Sequence, residues 1–492
     1  MSQLLSLSRS ARLAGVSRAE IQRRIRRGEL ATFEGEIAVS DLLRVFPHVS
    51  LDNDDALERV RLIKDRALPR SHEADTVLPS GEVLVSRLKA MGEALMGKVS
   101  ALEASLALLD EVEARLATLA QEGANAGIRE LAHWLAQSRR ALAAPPAPDT
   151  QAKLLAKDSF LRLMAANVKI IPSGRDFFVE GNESILDASV RAGLNLAYGC
   201  ASGNCGSCKA RVISGEVWKI RDHDYALSAR EKEMGYILAC SNTAVTDLVL
   251  EAAEALSVDD LPRQEIRATV RRKVLLDANL MGLYIQTPRT QTLRFMAGQR
   301  AILSLEDGGS TELSIASCPC DARNLQFLVR RRPGDAFAEA LFSEAVKPGH
   351  SVTLQGPLGR FVLDESSSAP AVFIAFGQGI APVRGLIEHG VSIDFIESFH
   401  LYWPTAGGES LGGQDQSRWC RAMEDALDNF FVTPLIEDTT TGILARILAD
   451  HPEPASRRFY LAGPANRVEP LAAALRDQGV AGDRISVELL ED

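Results

Sequence analysis

The 492-residue chain holds seven cysteines. Three of them crowd into Tyr198–Val212, which reads YGCASGNCGSCKARV. Cys200, Cys205 and Cys208 are spaced C-x4-C-x2-C, and Cys240 follows later in GYILACSN. A compact triple with one distant thiol suits the four ligands of a [2Fe–2S] cluster. Such a cluster carries net negative charge, which backbone N–H groups aimed at sulfur neutralise while tuning its potential. Gly199, Gly203 and Gly206 let the chain wind closely around an inorganic core where a Cβ would clash. Ser202 and Ser207 add donors. Zinc is the alternative, but structural zinc pairs two C-x2–4-C hooks, whereas here one triple faces a single cysteine. Cys318, Cys320 and Cys420 lack partners at ligand spacing and read as ordinary core or near-surface thiols.

The flanking elements must position that loop. NVKIIPSGRDFFVEG alternates around a Pro-Ser-Gly-Arg turn, as a β-hairpin does. ESILDASVRAGL then places Leu186, Val190 and Leu194 on one helical face, with Ile185 beside them. Hairpin, helix, cysteine loop and a late strand with the last cysteine together resemble a plant-type ferredoxin domain, a β-grasp fold. The resemblance covers Asn167–Glu254. It implies a one-electron carrier with Cys200, Cys205, Cys208 and Cys240 as metal ligands.

From about 264 to 361 the pattern is short strands and turns, as in a small β-barrel. From Ala371 onward, apolar runs (AVFIAF, FHLYW, RFYLAG, ISVELL) alternate with helical stretches, which reads as a parallel α/β sheet. FMAGQ (Phe295–Gln299), LSIAS (Leu313–Ser317), GPLGRF (Gly356–Phe361) and GQGIAP (Gly377–Pro382) punctuate these segments. The last follows a strand and opens a helix, a place for pyrophosphate. Barrel plus sheet resembles the ferredoxin–NADP reductase superfamily. Behind a ferredoxin domain it looks most like the NAD(P)H-dependent reductases that feed oxygenases and the CDP-6-deoxyglucoseen reductase group. That resemblance implies FAD and NAD(P)H as cofactors. It marks Ser314, Gly356, Pro357, Gly359, Gly377, Gly379, Pro382 and Gly463 as cofactor-binding candidates; it names no catalytic residue.

Several positions depart from the family's pattern. Where it has an arginine and a tyrosine for the flavin, this chain has Thr311 and Leu313, followed by Ser314. Ala338 stands where a Ser or Thr is usual, and Phe376 occupies the nucleotide turn Ala375–Gly379. Pro404, Thr405 and Ala406 replace G-x-R, Ala462-Gly463-Pro464 replaces C-G-P, and Leu490 takes the place of a terminal aromatic. An arginine–phosphate pair is worth about 1.5–3 kcal/mol and an aromatic stack about 0.5–1.5, so affinity would fall roughly a hundredfold or more unless compensated. Arg330, Arg331 and Arg332 could compensate, although a solvated surface run is the plainer reading of that triplet.

The N-terminal part points elsewhere. Ser8–Leu30 reads as helix, turn at Gly15, helix, with Ser17 and Glu20 as a capping box and Ala11, Leu13, Val16, Ile21 and Ile25 buried between. Arg18, Arg23, Arg24, Arg26 and Arg27 line the second helix, and a strand-like wing and closing helix follow. This resembles the helix–turn–helix of excisionase-like and MerR-like domains, where such arginines contact DNA; a protein-docking module uses the same helix pair. Leu88, Met91, Leu95, Val99, Leu102, Leu106, Leu109, Val112, Leu116 and Leu119 then recur every three or four residues, favouring a coiled-coil homodimer. A fold-back on 127–142 is the alternative.

The expected fold class is therefore multidomain, α+β and α/β. Its parts are a helix–turn–helix (1–50), a helical or coiled-coil region (51–142), a linker (143–163), a ferredoxin domain (164–258), a flavin-type barrel (262–365) and a nucleotide-type α/β domain (369–492). The composition is 46% hydrophobic and 24% charged with net charge −10, which argues against nucleic-acid binding by the chain as a whole. No apolar run is long enough to span a bilayer and no signal core opens the chain, so a cytoplasmic, non-membrane protein is expected. The functional expectation is a [2Fe–2S] electron-transfer protein moving electrons from NAD(P)H through flavin to an acceptor protein. The alternative is a dimeric redox-sensing DNA-binding regulator with a degenerate reductase module.

Overall fold

The computed structural model describes residues 4–32, 36–47, 79–121, 126–143, 150–288, 291–306, 309–321, 323–343, 345–404, 413–435 and 439–490. At the N-terminus β1 (Leu4–Ser6) pairs with β2 (Glu36–Ala38) around α1 (Leu7–Ala14), α2 (Arg18–Arg26) and α3 (Val39–Val45). Gly15 ends α1 in the left-handed region (φ 73°), and the Ser17 hydroxyl caps α2 by accepting from the Glu20 N–H. The capping box is not closed, because the Glu20 carboxylate turns to Arg23 and Arg24 instead. Leu13, Ile21, Ile37 and Leu42 form the buried centre, with Ala11 beside them and Val16 and Ile25 packed against it.

This module is docked, not free. Arg9 Nε binds Asp158 Oδ1 at 2.5 Å and its Nη1 binds Asp247 Oδ2 at 2.6 Å, while Arg162 contacts the same two carboxylates at 2.9 Å. Ser6 and Ser8 donate to Asp176, both at 3.0 Å. Arg12 pairs with Glu180 and sits 4.8 Å above the Phe178 ring.

Next come α4 (Gly81–Gln121), α5 (Ala126–Ala143) and α6 (Thr150–Met164). α5 packs back along α4, as the fold-back alternative describes. The seam on α4 stays open in one chain: Leu88, Leu95, Val99, Leu102, Leu106, Val112 and Leu119 are 40–63% exposed. Arg87 anchors the base of α4; it is 1% exposed and donates to the Leu163 and Ala244 carbonyls at 2.9 and 3.0 Å. The linker expected over 143–163 is corrected. TQAKLLAKDSFLRLM lacks Gly and Pro and is rich in helix formers, so residues from Thr150 are helical. Residues 51–78 and 144–149 lie outside the described residues.

The ferredoxin domain is a five-stranded sheet in the order β4 (Asp176–Glu180), β3 (Ala165–Ile171), β9 (Leu248–Glu251), β5 (Lys209–Ser214), β7 (Tyr236–Leu238). β6 (Val217–Lys219) pairs with β8 (Asn242–Ala244), and α7 (Ile185–Arg191) and α8 (Ala229–Glu233) cover the edges. β3 and β9 run parallel, the mixed pairing of a β-grasp sheet. Cys240 lies in the turn between β7 and β8, not in a strand.

Six antiparallel strands make the next unit, in the order β13 (Ser310–Ser314), β12 (Arg300–Ser304), β15 (Ser351–Leu358), β10 (Gln264–Asp277), β11 (Leu280–Gln286), β14 (Asn324–Arg330). An Ile315–Phe327 bridge joins the two edges and closes the barrel, with α9 (Ala336–Phe342) against it. The last unit is a parallel sheet in the order β18 (Phe430–Leu435), β17 (Phe399–Pro404), β16 (Ala371–Ala375), β19 (Arg458–Gly463), β20 (Ile485–Leu489). α10 (Ile380–Ile393), α11 (Gly413–Ala426), α12 (Thr440–Asp450) and α13 (Ala465–Asp477) connect its strands. Strand order reverses between β16 and β19, and such a switch point opens a crevice at the strands' carboxyl ends. Among the described residues no helix is long and apolar enough to cross a membrane.

Two predictions follow from the packing. Arg9→Met leaves Asp158, whose side chain is 5% exposed, with Arg162 as its remaining cation, and should cost about 2 kcal/mol in urea unfolding; a loss under about 0.5 kcal/mol refutes a stabilising role. The His400 and His451 rings meet edge to face at 4.9 Å, and burial holds both near pKa 4, below their ordinary value. The unfolded chain therefore binds protons first, so stability is full above about pH 6.5 and falls as pH drops towards 4. Urea midpoints at several pH values should show that slope, and His451→Phe should flatten it.

Candidate functional site

The cysteine loop leaves α7 and enters β5. Cys200 Sγ accepts backbone N–H groups from Ser202, Asn204 and Cys205 at 3.5, 3.3 and 3.4 Å. Cys205 Sγ accepts from the Ser207 N–H at 3.4 Å. The donors that the sequence assigns to serine hydroxyls are thus backbone groups in these contacts. Cys208 Sγ lies 3.2 Å from Cys240 Sγ, and Ser241 Oγ is 3.4 Å from Cys240 Sγ. Cys205 alone of the four is exposed.

Backbone shape makes this possible. Gly206 has φ 74°, and a Cβ there would lie 2.3 Å from the Tyr225 ring; Gly203 has φ 87°, with His223 Cβ at 2.4 Å. Ala201 takes the left-handed region (φ 50°) without being glycine, and its carbonyl accepts from Arg221 Nη1 at 3.1 Å. Burial alone would raise the Cys200 thiol, but hydrogen bonds from Ser202 and Cys205 lower it to about 6. The Cys208 contact lowers Cys240 to about 7, and the nearby Arg221 charge helps, while the same contact and burial raise Cys208. The fourth sulfur lying 3.2 Å from Cys208 Sγ, N–H donors on Cys200 and Cys205, and no room for a Cβ at Gly203 or Gly206 fit a [2Fe–2S] cluster held by these four cysteines. Arg221 escapes a reading of the sequence, because nothing in VWKIRDHD sets it apart.

A second site lies between the barrel and the parallel sheet. A cleft of about 290 Å³ is lined by Arg300, Thr311, Leu313, Ser314, Leu328, Arg330, Arg332, Gln378, Ala381 and Leu490, among others. Ser314 is 7% exposed and its hydroxyl has no partner. Arg300 Nη1 is 3.0 Å from Glu312, and its Nε is 3.0 Å from Glu488 Oε1 without hydrogen-bond alignment. Burial raises the Glu488 carboxyl. Three arginines at the edge, an apolar wall and an unsatisfied buried hydroxyl suit a ligand with a flat ring and phosphates, as FAD has.

The structure sorts the candidates. Ser314 lines the cleft beside Thr311, Leu313 and Leu490. Arg330, the last residue of β14, and Arg332, just beyond it, line the cleft too, while exposed Arg331 turns to the Phe342 ring, so the solvated-run reading holds for Arg331 alone. Gly356, Pro357 and Gly359 instead join the barrel: a Cβ on Gly356 would press Ala301, and the Gly359 carbonyl accepts from Gln299. Gly377 and Gly379 sit at the switch point with Gly463. A Cβ on Gly379 would lie 2.1 Å from the Ala462 carbonyl, so glycine there lets two strand ends meet. Phe376 does not fill the turn. It is 4% exposed in an apolar cluster with Ile374 and Tyr402. Pro382 and Ala338 are buried in their helices. Thr405 and Ala406 lie outside the described residues.

Arg300 and Glu488 are the residues that sequence reading misses; Arg300 follows FMAGQ directly, which is a weak signal. The expectation of ordinary thiols fails for Cys318 and Cys320, whose sulfurs are bonded to each other. Cys420 is an ordinary core thiol, pushed up to about 12 by burial.

Residues 168–245 match the family model of the 2Fe-2S iron-sulfur cluster binding domain, and residues 267–363 match that of the oxidoreductase FAD-binding domain. The protein is a [2Fe–2S] electron-transfer protein on a reductase-type body. The ferredoxin–NAD(+) reductase component of the alkene monooxygenase system of Xanthobacter autotrophicus is 29% identical over 63% of this chain and 97% of its own length. The CDP-6-deoxy-L-threo-D-glycero-4-hexulose-3-dehydrase reductase of Yersinia pestis is 29% identical over 61% and 91%. The Amycolatopsis cytochrome P450 reductase GcoB superposes with a TM-score of 0.41 at 25% identity, over 66% of this chain and 98% of that one.

Two substitutions test the cluster loop. Cys205→Ser should abolish the visible cluster absorption, and Gly206→Ala should cut cluster content at least severalfold. Full iron and acid-labile sulfide in either purified variant would contradict the assignment.

Proposed function

We propose that the protein is an NAD(P)H-dependent iron–sulfur flavoprotein oxidoreductase that hands single electrons to a partner protein. The observation carrying this reading is the joining, in one body, of a cysteine loop whose distant fourth sulfur lies 3.2 Å from Cys208 Sγ and a cationic, apolar-walled cleft of about 290 Å³. Relatives whose names describe reductase components of an alkene monooxygenase system and of a dehydrase support an oxygenase or dehydratase as the acceptor.

Bound flavin supplies the conversion of a two-electron hydride into one-electron steps, and the cluster supplies a one-electron store. The chain's own residues do the holding. Arg300, Arg330 and Arg332 offer positive charge to phosphates, replacing the arginine missing at Thr311. The Ser314 hydroxyl is poised to bond a ring heteroatom, and Leu313 and Leu490 give apolar contact where aromatics are usual. α10 begins at Ile380 with no side chain capping it; the Ile380 N–H already bonds the Gly377 carbonyl and Pro382 has none, so the nicotinamide nucleotide's pyrophosphate is offered the Gly377–Gly379 turn ahead of the helix. Cys205, exposed, brings one edge of the cluster to the surface where a partner takes electrons.

The helix pair at the N-terminus serves this body as a clamp. The Arg18 N–H donates to Asp394 at 2.9 Å, and its guanidinium faces Asp176 at 3.6 Å. Arg23 and Arg26 reach Glu397 at 3.6 and 2.8 Å, and Arg24 pairs with Glu20 and Glu29. Of the five arginines that a DNA-binding role would use, four make such contacts among the described residues, so no observation favours that role over docking.

Anaerobic absorption spectra test the reading. The purified protein should show cluster and flavin bands that bleach on adding NADH or NADPH. A cluster spectrum without flavin, unchanged by either nucleotide, would overturn it. Arg332→Ala should weaken FAD binding about 10- to 100-fold while leaving the iron content intact.

A further inference from the structure

Where the ferredoxin domain, the barrel and the parallel sheet meet, the segment SCPC places Cys318 and Cys320 against His389 of α10. His389 Nδ1 is 3.9 Å from Cys318 Sγ and 4.0 Å from Cys320 Sγ. All three residues are buried, at 8%, 3% and 2% exposure. His389 Nε2 lies 2.7 Å from Glu365 Oε1, and Glu365 Oε2 is 2.5 Å from Arg175, which also pairs with Glu254. The ferredoxin domain closes the site from the other side: a Cβ on Gly193 would come within 3.0 Å of His389 Cε1.

We propose that Cys318, Cys320 and His389 form a second metal site, for a thiophilic divalent ion such as zinc, filled when the two sulfurs are reduced. The bonded pair seen here is its oxidised form. A bridge across a single intervening residue restrains the unfolded chain least, so a stabilising staple explains the pair poorly. A metal explains the surroundings better. Ligand histidines donate their second N–H to a carboxylate, and Glu365 is placed to accept it. With Zn–S near 2.3 Å and Zn–N near 2.05 Å, tetrahedral binding needs N···S separations of roughly 3.5 Å. The observed 3.9 and 4.0 Å leave a shift of a few tenths of an ångström on each, with the sulfurs moving apart once their bond is broken. Two thiolates cancel the ion's charge, so the buried site is neutral overall. One coordination position remains for water or another donor.

The chemistry balances. An external dithiol or phosphine gives two electrons, and the S–S bond takes up two protons to form two thiols. Zinc(II) then displaces both protons and binds the two thiolates and the neutral Nδ1. The filled site would tie the barrel to the parallel sheet, beside the Arg175–Glu365 ion pair that brings in the ferredoxin domain.

The test uses the full-length protein with its cluster, reduced anaerobically with a phosphine, freed of reductant, equilibrated with zinc and desalted. One zinc per chain is expected beyond the cluster's iron, with the cluster spectrum unchanged. Peptide mass spectrometry should show Cys318 and Cys320 protected from alkylation. Cys320→Ser should lower zinc affinity at least tenfold, and His389→Gln should do the same; the serine variant alone decides if the other fails to fold. Reduced wild-type protein that retains no zinc overturns the proposal, as does equal retention by the Cys320→Ser variant. None of these readouts needs flavin or pyridine nucleotide, so the outcome stands apart from the reductase reading.

Discussion

Sulfur ligands crowded onto one loop are negative, and the structure has to answer that charge before anything else can work. It does so with backbone. Three N–H groups converge on Cys200 Sγ and one on Cys205 Sγ, and the loop reaches that shape because Gly203 and Gly206 have no Cβ to strike His223 and Tyr225. The β-grasp sheet behind it supplies rigidity. Cys208 immediately precedes β5 and Cys240 sits in the turn after β7, so the strand pairing of β5 with β7 brings the distant fourth sulfur beside Cys208.

The reductase body keeps its architecture while moving its charges. The position that ordinarily carries an arginine holds Thr311, yet Arg300, Arg330 and Arg332 face the same cleft from neighbouring strands and the segment after them. Charge at a phosphate site need not come from one residue; it must come from within reach. The same holds for the crevice at the switch point, where Gly379 and Gly463 serve the meeting of two strand ends as much as any ligand.

Ion pairs hold the modules in place. The Arg9–Asp158–Arg162–Asp247 network fastens the N-terminal helices to the ferredoxin domain, and Arg18, Arg23 and Arg26 carry the contact on to the turn at Asp394 and Glu397. An arginine-rich helix is electrostatically suited to DNA and equally to an acidic protein surface. Here the acidic surface belongs to the same chain.

The iron–sulfur domain, the barrel and the parallel sheet were all legible in the sequence, because each rests on local spacing: C-x4-C-x2-C, alternating strands, a glycine turn opening a helix. The helix at Thr150–Met164 is favoured by its own composition, free of Gly and Pro, although a proline-rich stretch precedes it. What the sequence could not settle is anything made by residues far apart in the chain. Arg300 meets Glu488, Arg221 reaches Ala201, Arg23 finds Glu397, and Cys318 and Cys320 close on each other beside His389 and Glu365. Those pairings depend on strand register and on how modules dock. Local pattern carries no record of either, so the tertiary structure alone decided them.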